Sequence, residues 1–371
     1  MSLIRLPIRL TKYRKKHLMS VIFLTCLFTT LILTIHIPIP GFVMNIYYWI
    51  KPDKSVFCHY IRTKEEDNLP DISAAVPKEG QSIFFHETSC NSLINGKITI
   101  KARQACAVES AALMNPHHEV YLLYASPGKF LFQNTESDRF LKELLKYPNV
   151  NILHLDLEKY FKDSPVENLY AEGIIRQSRF AQSHTSDVLR FLTLWKYGGI
   201  YLDLDVIVTK PLEGLGTDFS GIESNTSVAA GILSFNYTGI GHEYATDCLE
   251  DLKYNFKGSD WGWNGPGTVT RLLKRLCNVN KVPEMRNRTC KGFKIYPPSE
   301  FYSIPWWNWK WFFDPLQMDA INHATANSHI IHVWNKFSTT VKIPINSLGV
   351  PYLEFAKKYC PSIIKQCDQY F

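Results

Sequence analysis

Two carboxylates lie close together in a stretch that otherwise has the pattern of a β-strand, IYLDLDVIV at residues 200–208. Because side chains alternate faces along a strand, Asp203 and Asp205 share one face and lie about 7 Å apart. At an effective dielectric constant of about 20, their negative charges repel by about 2 kcal/mol. A hard divalent cation held by oxygen ligands would offset this repulsion. The pattern alone leaves open the alternative that both acids lie in a solvated strand end and bind nothing.

Strands and helices are predicted to alternate around these acids. Such alternation predicts an α/β fold with a largely parallel sheet, in which ligands bind beyond the carboxyl ends of the strands. Ser186 is the predicted N-cap of the helix before the acids, and Gly198 and Gly199 end that helix. The predicted strands are 83–88, 120–124, 150–155 and 200–208, and the predicted helices are 106–115, 137–147 and 186–199.

The first 80 residues predict attachment to a membrane. Residues 1–17 carry six basic residues and no acidic one, so most of the net charge of +7 lies in this tail and nothing indicates a nucleic-acid-binding domain. Residues 18–37 are apolar, uncharged and about long enough to cross a bilayer. The basic flank predicts a cytosolic tail and a type II orientation, with a cleaved signal peptide as the alternative. The proline-containing residues 38–80 predict a stem with little fixed structure, before one luminal domain at 81–371.

The cysteines and sequons agree with an oxidising compartment. One of the nine cysteines, Cys26, lies in the apolar run, and the eight others form an even set that predicts disulfides. Cys277 and Cys290 are the most natural local pair, and the absence of any CxxC pair argues against zinc. Glycosylation is predicted at the three sequons, which are at Asn225, Asn236 and Asn287.

Several segments together resemble a known family of enzymes. SDVLRFLTLWKYGGIYLDLD at 186–205 resembles the sugar-nucleotide-dependent glycosyltransferases that contain a DXD motif and have a GT-A fold. The resemblance is greatest to the α1,4-glycosyltransferase family and extends over residues 81–371. It implies a Rossmann-like mixed sheet flanked by helices. The other segments that carry it are FFHETS (84–89), CAVESAA (106–112), NGPG (264–267), FYSIPW (301–306) and HVWNK (332–336).

The resemblance implies a metal site and a donor site. Asp203, Asp205 and His332 would hold Mn²⁺ or Mg²⁺ against the diphosphate of a UDP-sugar, whose developing charge a metal ion stabilises. Asp187 and Arg190 would bind the donor, although two such residues three apart on a helix also form ordinary surface ion pairs. The further donor-binding residues that the resemblance implies are His86, Glu87, Thr88, Asp203, Trp334 as a lid, and Lys336.

The remaining expectations concern catalysis and the acceptor. With Asp203 and Asp205, Asn264 completes the expected catalytic set, although NGPG is also typical of a turn. The family transfers a hexose with retention, and we favour same-face attack over a covalent intermediate. Asp260, Glu223 and Glu300 are the conceivable nucleophiles for the covalent route.

The expected reaction moves galactose or N-acetylgalactosamine from UDP-Gal or UDP-GalNAc to a glycosphingolipid in the Golgi. The aromatic run WWNWKWFF at 306–313 is either core or a platform for the acceptor or a membrane surface. A homodimer is left open. The alternatives are a DXD mannosyltransferase of N-glycans, a non-catalytic sugar-binding membrane protein, and a glycosidase that uses Asp203 and Asp205 as acid and base.

Overall fold

The computed structural model describes residues 54–371 of the chain. Its larger sheet has the strand order β3-β2-β1-β4-β7-β6-β9-β8, and its smaller sheet pairs β10 with β5. The strands are β1 (Ser82–Glu87), β2 (Glu119–Tyr124), β3 (Val150–His154), β4 (Gly199–Leu202), β5 (Val206–Val208), β6 (Phe219–Ile222), β7 (Val228–Phe235), β8 (Thr289–Cys290), β9 (Phe293–Tyr296) and β10 (Ile330–His332).

The larger sheet is mixed, as the resemblance implies. Strands β3, β2, β1 and β4 run parallel to one another. Strand β4 then pairs antiparallel with β7, and β7 pairs antiparallel with β6. Strand β9 pairs parallel with β6 and antiparallel with β8. The expectation of a largely parallel sheet is therefore confirmed for all of its strands except β7 and β8. The carboxyl ends of β1 and β4 lie at the same edge of the sheet, where ligands of α/β folds bind.

Helices cover both faces of the sheet. Alternate residues of β1 face different apolar cores, with Ile83 and Phe85 in one and Phe84 in the other. The helices are α1 (Asn91–Ile94), α2 (Ala102–Met114), α3 (Glu136–Leu144), α4 (Leu157–Phe161), α5 (Glu167–Ala171), α6 (Ala181–Tyr197), α7 (Gly239–Asn255), α8 (Pro266–Cys277), α9 (Pro298–Phe301), α10 (Met318–Thr325), α11 (Asn335–Ser338), α12 (Pro351–Tyr359) and α13 (Pro361–Ile364).

Two glycines make the turn from α6 into β4. Gly198 and Gly199 have φ angles of 63° and 92°, a region that favours glycine. A Cβ atom at Gly199 would lie 2.3 Å from the backbone oxygen of Ser82, so only glycine allows β4 to begin this close to β1. The predicted stop is therefore confirmed, but the predicted start is wrong. Helix α6 begins at Ala181, and Ser186 lies inside it.

The strand predicted at 200–208 is broken at the two acids. Strand β4 ends at Leu202 and β5 begins at Val206, in the other sheet. Between them, the backbone N–H of Asp203 donates to the oxygen of Gly231, and the oxygen of Asp205 accepts from the N–H of Val333. The chain thus leaves one partner strand and joins another within three residues. The apolar alternation continues through the break, so the pattern could not reveal it.

Part of the predicted stem is folded. Residues 54–80 contain three short 3₁₀ segments, at Lys54–Tyr60, Glu65–Asp67 and Ile72–Ala74. Val56 is fully buried, and Cys58 forms a disulfide with Cys90. The expectation of little fixed structure before residue 81 is therefore wrong for this part.

The predicted tail at 1–17 and the predicted span at 18–37 lie outside the described residues. Within 54–371, the structure contains no helix whose length and apolar character would allow it to cross a bilayer.

Disulfides close the domain in the described part of the chain. The predicted pair Cys277–Cys290 is confirmed, and Cys106–Cys360 joins α2 to the C-terminal helices. In the same region the buried carboxylate of Glu109 accepts hydrogen bonds from the backbone N–H groups of 362 and 363. These links hold the C-terminal segment against α2. Cys248 and Cys367 are free.

We expect the buried ion pair between Lys97 and Asp138 to be a major local contribution to stability. The Lys97 Nζ lies 2.8 Å from Asp138 Oδ1, and both side chains are buried. Asp138→Asn should lower the free energy of unfolding by about 3–5 kcal/mol, because the ammonium group stays buried without a counter-charge. Urea unfolding measures this loss. Glu158→Gln, which removes the exposed partner of Arg62, is the control and should leave the free energy of unfolding nearly unchanged, because solvent screens this pair.

The same pair should respond to acid. Burial alone would raise the pKa of Asp138, but Lys97 and backbone N–H donors outweigh burial and hold the pKa at about 2. Its contribution is thus complete above the unfolded-state pKa of about 4 and is lost as the pH falls towards 2. If Asp138→Asn were as stable as the wild type at neutral pH, the ion pair would not have this role.

Candidate active site

The break after β4 brings together three side chains of the types that can ligate a metal ion. His332 at the end of β10 lies with Nε2 3.2 Å from Asp205 Oδ1 and 3.5 Å from Asp203 Oδ2. One ligand atom from each residue lies within 4.8 Å of the others. The two carboxylates are half-buried and the imidazole is buried. Two carboxylates and one imidazole form a donor set that suits a divalent ion such as Mn²⁺.

The pKa values of the three ionisable side chains in this cluster are shifted in different directions. Burial alone would raise the pKa of Asp203, but Arg190 and His332 outweigh burial and lower the pKa to about 2. Burial raises the pKa of Asp205, and the nearby Asp203 charge adds to this effect. The carboxylates in turn raise the pKa of His332 against the effect of its burial. The raised pKa of His332 indicates that the carboxylates stabilise an added positive charge, whereas the lowered pKa of Asp203 reflects the positive charges already beside it.

Arg190 is the cation that the structure supplies from within the fold. Its Nη1 lies 3.4 Å from Asp203 Oδ1, and its Nη2 lies 3.2 Å from Asp187 Oδ1. Nη1 also donates to the backbone oxygen of Ala230 at 2.8 Å, and the guanidinium lies over the ring of Tyr201. Asp187 and Arg190 are both buried, so they do not form the surface ion pair that the spacing allowed. Burial raises the pKa of Asp187 to about 7, although Arg190 opposes this shift.

The WGWNGPG loop packs against Asp187. A Cβ atom at Gly265 would lie 2.2 Å from Asp187 Oδ1, so this loop position needs glycine. The amide of Asn264 accepts from the backbone N–H of Lys257 and donates to its oxygen, both at 2.9 Å. The buried Asn264 side chain therefore fixes the loop, and the structure does not place it in contact with the three-residue cluster.

The segment after β10 completes one wall of the site. Trp334 is buried, with its ring centroid 4.4 Å from that of His332, and its Nε1 donates to the oxygen of Ile304. The Asn335 N–H donates to Asp205 Oδ2 at 2.6 Å. Lys336 is exposed, with Nζ 3.4 Å from the ring centroid of Trp261. Trp334 thus packs against the His332 imidazole as a wall of the site, and Lys336 lies at the outer edge.

The three residues predicted at the end of β1 are engaged within the fold. His86 Nε2 lies 3.0 Å from Thr193 Oγ1, and its ring lies beside that of Tyr201. Glu87 accepts from the N–H and hydroxyl of Ser89. The Thr88 hydroxyl donates to the backbone oxygen of residue 182. These side chains form contacts at the edge of the sheet, and none of these hydrogen bonds is to Asp203 or Asp205.

Two further residues, which the sequence pattern did not predict for the site, contact the cluster. The Tyr201 hydroxyl donates to Asp203 Oδ1 at 2.8 Å. Its position two residues before Asp203 is the signal that could have revealed it, because such positions share a strand face. A Cβ atom at Gly231 would lie 2.8 Å from Asp203 Oδ2 and 3.1 Å from His332 Nε2. No sequence signal identifies Gly231, since β7 meets the acids only in the folded sheet.

A cavity of 670 Å³ adjoins Asp205 on the side of Leu204. This volume lies within the usual range for small-molecule sites. The cavity is lined by residues from the start of α2, the segment around α11 and the C-terminus, including Lys101, Asn335, Lys342, Tyr370 and Phe371.

The three conceivable nucleophiles have different surroundings. Glu300 lies 2.9 Å from His329 Nδ1, and exposed Asp260 accepts from the N–H of Gly262. Burial raises the pKa of Glu223 to about 7, and the charges of His332 and Asp203 also act on it. The charges of the cluster therefore influence the ionisation of Glu223. The sequon residues Asn225 and Asn287 are exposed and Asn236 is half-buried, and their glycosylation stays a prediction.

Family profiles match both halves of the described domain. Residues 101–222 match the "Glycosyltransferase sugar-binding region containing DXD motif", and residues 237–367 match the "Alpha 1,4-glycosyltransferase conserved region". The mixed GT-A-like fold and the Asp203, Asp205 and His332 cluster agree with these matches. The fold and site therefore define a hexosyltransferase of the DXD class.

The relatives of this chain show which family of glycosyltransferases it belongs to. The chain is 33% identical over 292 residues to rat lactosylceramide 4-alpha-galactosyltransferase, covering 78% of this chain and 76% of the relative. It is 24% identical over 258 residues to human alpha-1,4-N-acetylglucosaminyltransferase, covering 69% and 74%. This chain belongs to the α1,4-glycosyltransferase family.

Among solved structures, the glycosyltransferase GlyE of Streptococcus pneumoniae is 12% identical with a TM-score of 0.40, covering 78% of this chain and 63% of GlyE.

Gly231→Ala should weaken metal binding, because its methyl group would displace the Asp203 carboxylate or the His332 ring. We expect Mn²⁺ affinity to fall by at least about 10-fold, the lower end of the effect of disturbing ligand positions. This affinity is measured by titrating the protein with Mn²⁺ and following the electron paramagnetic resonance signal of the free ion. Gly214→Ala is the matched control, because a Cβ atom there would meet no atom within 4 Å. Equal affinity in both variants would contradict the proposed ligand set.

Tyr201→Phe should also weaken Mn²⁺ binding, by about 10-fold. It removes the hydroxyl that orients Asp203 but keeps the ring beneath Arg190. The control is Tyr244→Phe, which removes a hydroxyl bonded to the oxygen of Lys291, away from the cluster. An unchanged Mn²⁺ affinity with an unchanged transfer rate would show that this hydroxyl has no positioning role.

Proposed function

We propose that this protein is a retaining α1,4-glycosyltransferase that moves galactose or N-acetylgalactosamine from a UDP-sugar to the terminal sugar of a glycosphingolipid in the Golgi. The observation that carries the proposal is the cluster of Asp203, Asp205 and His332 beside the buried pair of Asp187 and Arg190. The rat relative's name, which specifies lactosylceramide and galactose, supports the acceptor class and one donor.

The donor would lie across the DXD turn. A divalent ion held by Asp203, Asp205 and His332 would neutralise charge on the diphosphate leaving group. The nucleotide would occupy the 670 Å³ cavity beside Asp205, where Lys101 and Lys342 lie in the lining. Asn335 and Asp205 both line this cavity, and the Asn335 N–H donates to Asp205 Oδ2.

The sugar of the donor would face the helix α6. Arg190 holds the carboxylates of Asp187 and Asp203 on opposite sides of its guanidinium. Asp187, whose pKa burial raises to about 7, would accept hydrogen bonds from sugar hydroxyl groups. The Gly265 loop, which packs on Asp187, would limit the space around that sugar. Recognition of Gal or GalNAc at C2 would thus fall to this region.

We favour same-face attack, in which the acceptor hydroxyl replaces the diphosphate and that leaving group takes up its proton. The covalent alternative needs a carboxylate close to the anomeric carbon. Glu223 is the candidate for that role, because its ionisation is coupled to His332 and Asp203. Glu300 is already paired with His329, and Asp260 lies at the exposed loop.

The test uses the purified full-length chain in detergent with lactosylceramide-type acceptors. UDP-Gal, UDP-GalNAc and UDP-GlcNAc are compared by UDP release and by product analysis, with and without Mn²⁺. We expect release with one of the first two donors, and Asp205→Asn should lower it by about 10²–10³-fold, as expected for the loss of a group that stabilises transition-state charge. Asp319→Asn, which changes an exposed acid in α10, is the control.

Other outcomes would count against the proposed donor or the proposed reaction. Transfer with UDP-GlcNAc alone would keep the family and reject the proposed donors. Hydrolysis of glycosides without metal or nucleotide would support the glycosidase hypothesis. A folded protein that releases no UDP from any of these donors would reject the proposed reaction.

A further inference from the structure

A row of aromatic side chains lies exposed at the outer edge of the site. Trp261, Trp306, Trp307 and Phe337, here called the aromatic rim, are 38%, 43%, 57% and 38% exposed. Trp306 stacks on Phe337 with ring centroids 5.7 Å apart, and Trp307 packs edge-on against Trp306 at 5.5 Å. Lys336 joins Trp261 to this row, because its Nζ lies 3.4 Å from the Trp261 centroid and 5.8 Å from that of Phe337. The rim is therefore one continuous surface.

This surface is continuous with the metal-ligating cluster. Phe337 and Lys336 belong to α11, whose first residue, Asn335, donates its N–H to Asp205. The 3₁₀ segment that carries Trp306 and Trp307 begins just after Ile304, whose oxygen accepts the indole N–H of Trp334. Trp334 in turn packs on His332. An acceptor that approaches the cluster along α11 therefore passes the rim.

The composition of the rim favours one kind of partner. Indole rings combine a large apolar area with an N–H group, and they concentrate with lysines where a bilayer meets water. The exposed ammonium groups of Lys336 and Lys310 lie in the two segments that carry most of the rim. The acids near these segments are Asp260, next to Trp261, and Asp314, which ends the 3₁₀ segment. This combination of exposed indole and lysine matches the interface of a bilayer better than it matches a purely polar partner.

We propose that the aromatic rim inserts into the headgroup region of a lipid bilayer and thereby presents a membrane-embedded acceptor to the site. The proposal rests on the glycolipid acceptor of the proposed function. A glycolipid keeps its ceramide in the bilayer, so the reacting sugar is accessible only if the site approaches the membrane surface. The predicted anchor at 18–37 would hold the domain near the same membrane, which raises the effective concentration of the rim at that surface.

The test compares two acceptors with the same sugar. The full-length protein, reconstituted in phosphatidylcholine vesicles, is given either a glycolipid in the vesicles or its free oligosaccharide. The variant is the double substitution Trp306→Ser with Trp307→Ser. We expect kcat/KM for the vesicle acceptor to fall by about 10- to 100-fold, the effect of losing the burial of large apolar side chains. With the free oligosaccharide, kcat/KM should stay within about 2-fold, a factor that corresponds to a small free-energy change.

Two further variants separate the effect of the aromatic rim from a general effect of changing exposed apolar residues. Trp306→Phe with Trp307→Phe keeps aromatic area and should restore most of the vesicle activity. Leu348→Ser removes an apolar side chain that is 84% exposed outside the rim, and it should leave both activities unchanged. An equal loss with both acceptors, or no loss with either, would overturn the proposal.

A second readout does not depend on activity. Brominated phosphatidylcholine quenches tryptophan fluorescence on contact, and the quenched fraction should be smaller in the serine double variant than in the wild type. Equal quenching in both proteins would reject the bilayer contact and leave a sugar or a protein as the occupant of the rim. Should the wild type transfer sugar to neither acceptor, the proposed function fails, and the quenching result alone decides whether the rim contacts lipid.

Discussion

The compensation of two neighbouring negative charges is the constraint on which the site depends. Asp203 and Asp205 are half-buried and two residues apart, and their repulsion must be offset by nearby positive charge. Arg190 from α6 supplies part of it, and His332 from β10 adds positive charge when its imidazole is protonated and no metal ion is bound. Asp187 also holds the buried Arg190, so one fixed cation lies between two acids. The remaining excess of negative charge is what makes the cluster suitable for a divalent ion.

The topology around the two acids brings His332 to them. The backbone leaves the larger sheet after Leu202, and β5 then pairs with β10, which delivers His332. Strand β10 lies far along the chain, so its position depends on how the C-terminal part is fixed. The disulfide Cys106–Cys360 and the hydrogen bonds to buried Glu109 hold that part against α2. The C-terminal segment that follows β10 is thus fixed to α2.

Most of the parallel half of the sheet could be predicted, because its strands are short apolar runs separated by amphipathic helices. The start of α6 could not, because Ser186 is a good N-cap by type but lies inside a helix whose earlier turn packs into the fold. The same limit applies to Asn264, which suits a reacting centre by type yet uses its amide to fix the loop at Lys257. Residue type indicates what a side chain can do, and only its neighbours decide what it does.

The order of residues along the chain is enough to show which chemistry is available: two acids two residues apart, an arginine three residues after another acid, a later histidine, and the order of motifs that identifies the family. These are local properties, set by residue types and short spacings. The tertiary structure decided which groups meet. It broke the strand at Asp203, placed Tyr201 and Gly231 against the same carboxylate, and exposed an aromatic surface beside the site. Contacts of this kind join distant segments through packing and hydrogen bonds, and no local pattern along the chain encodes them.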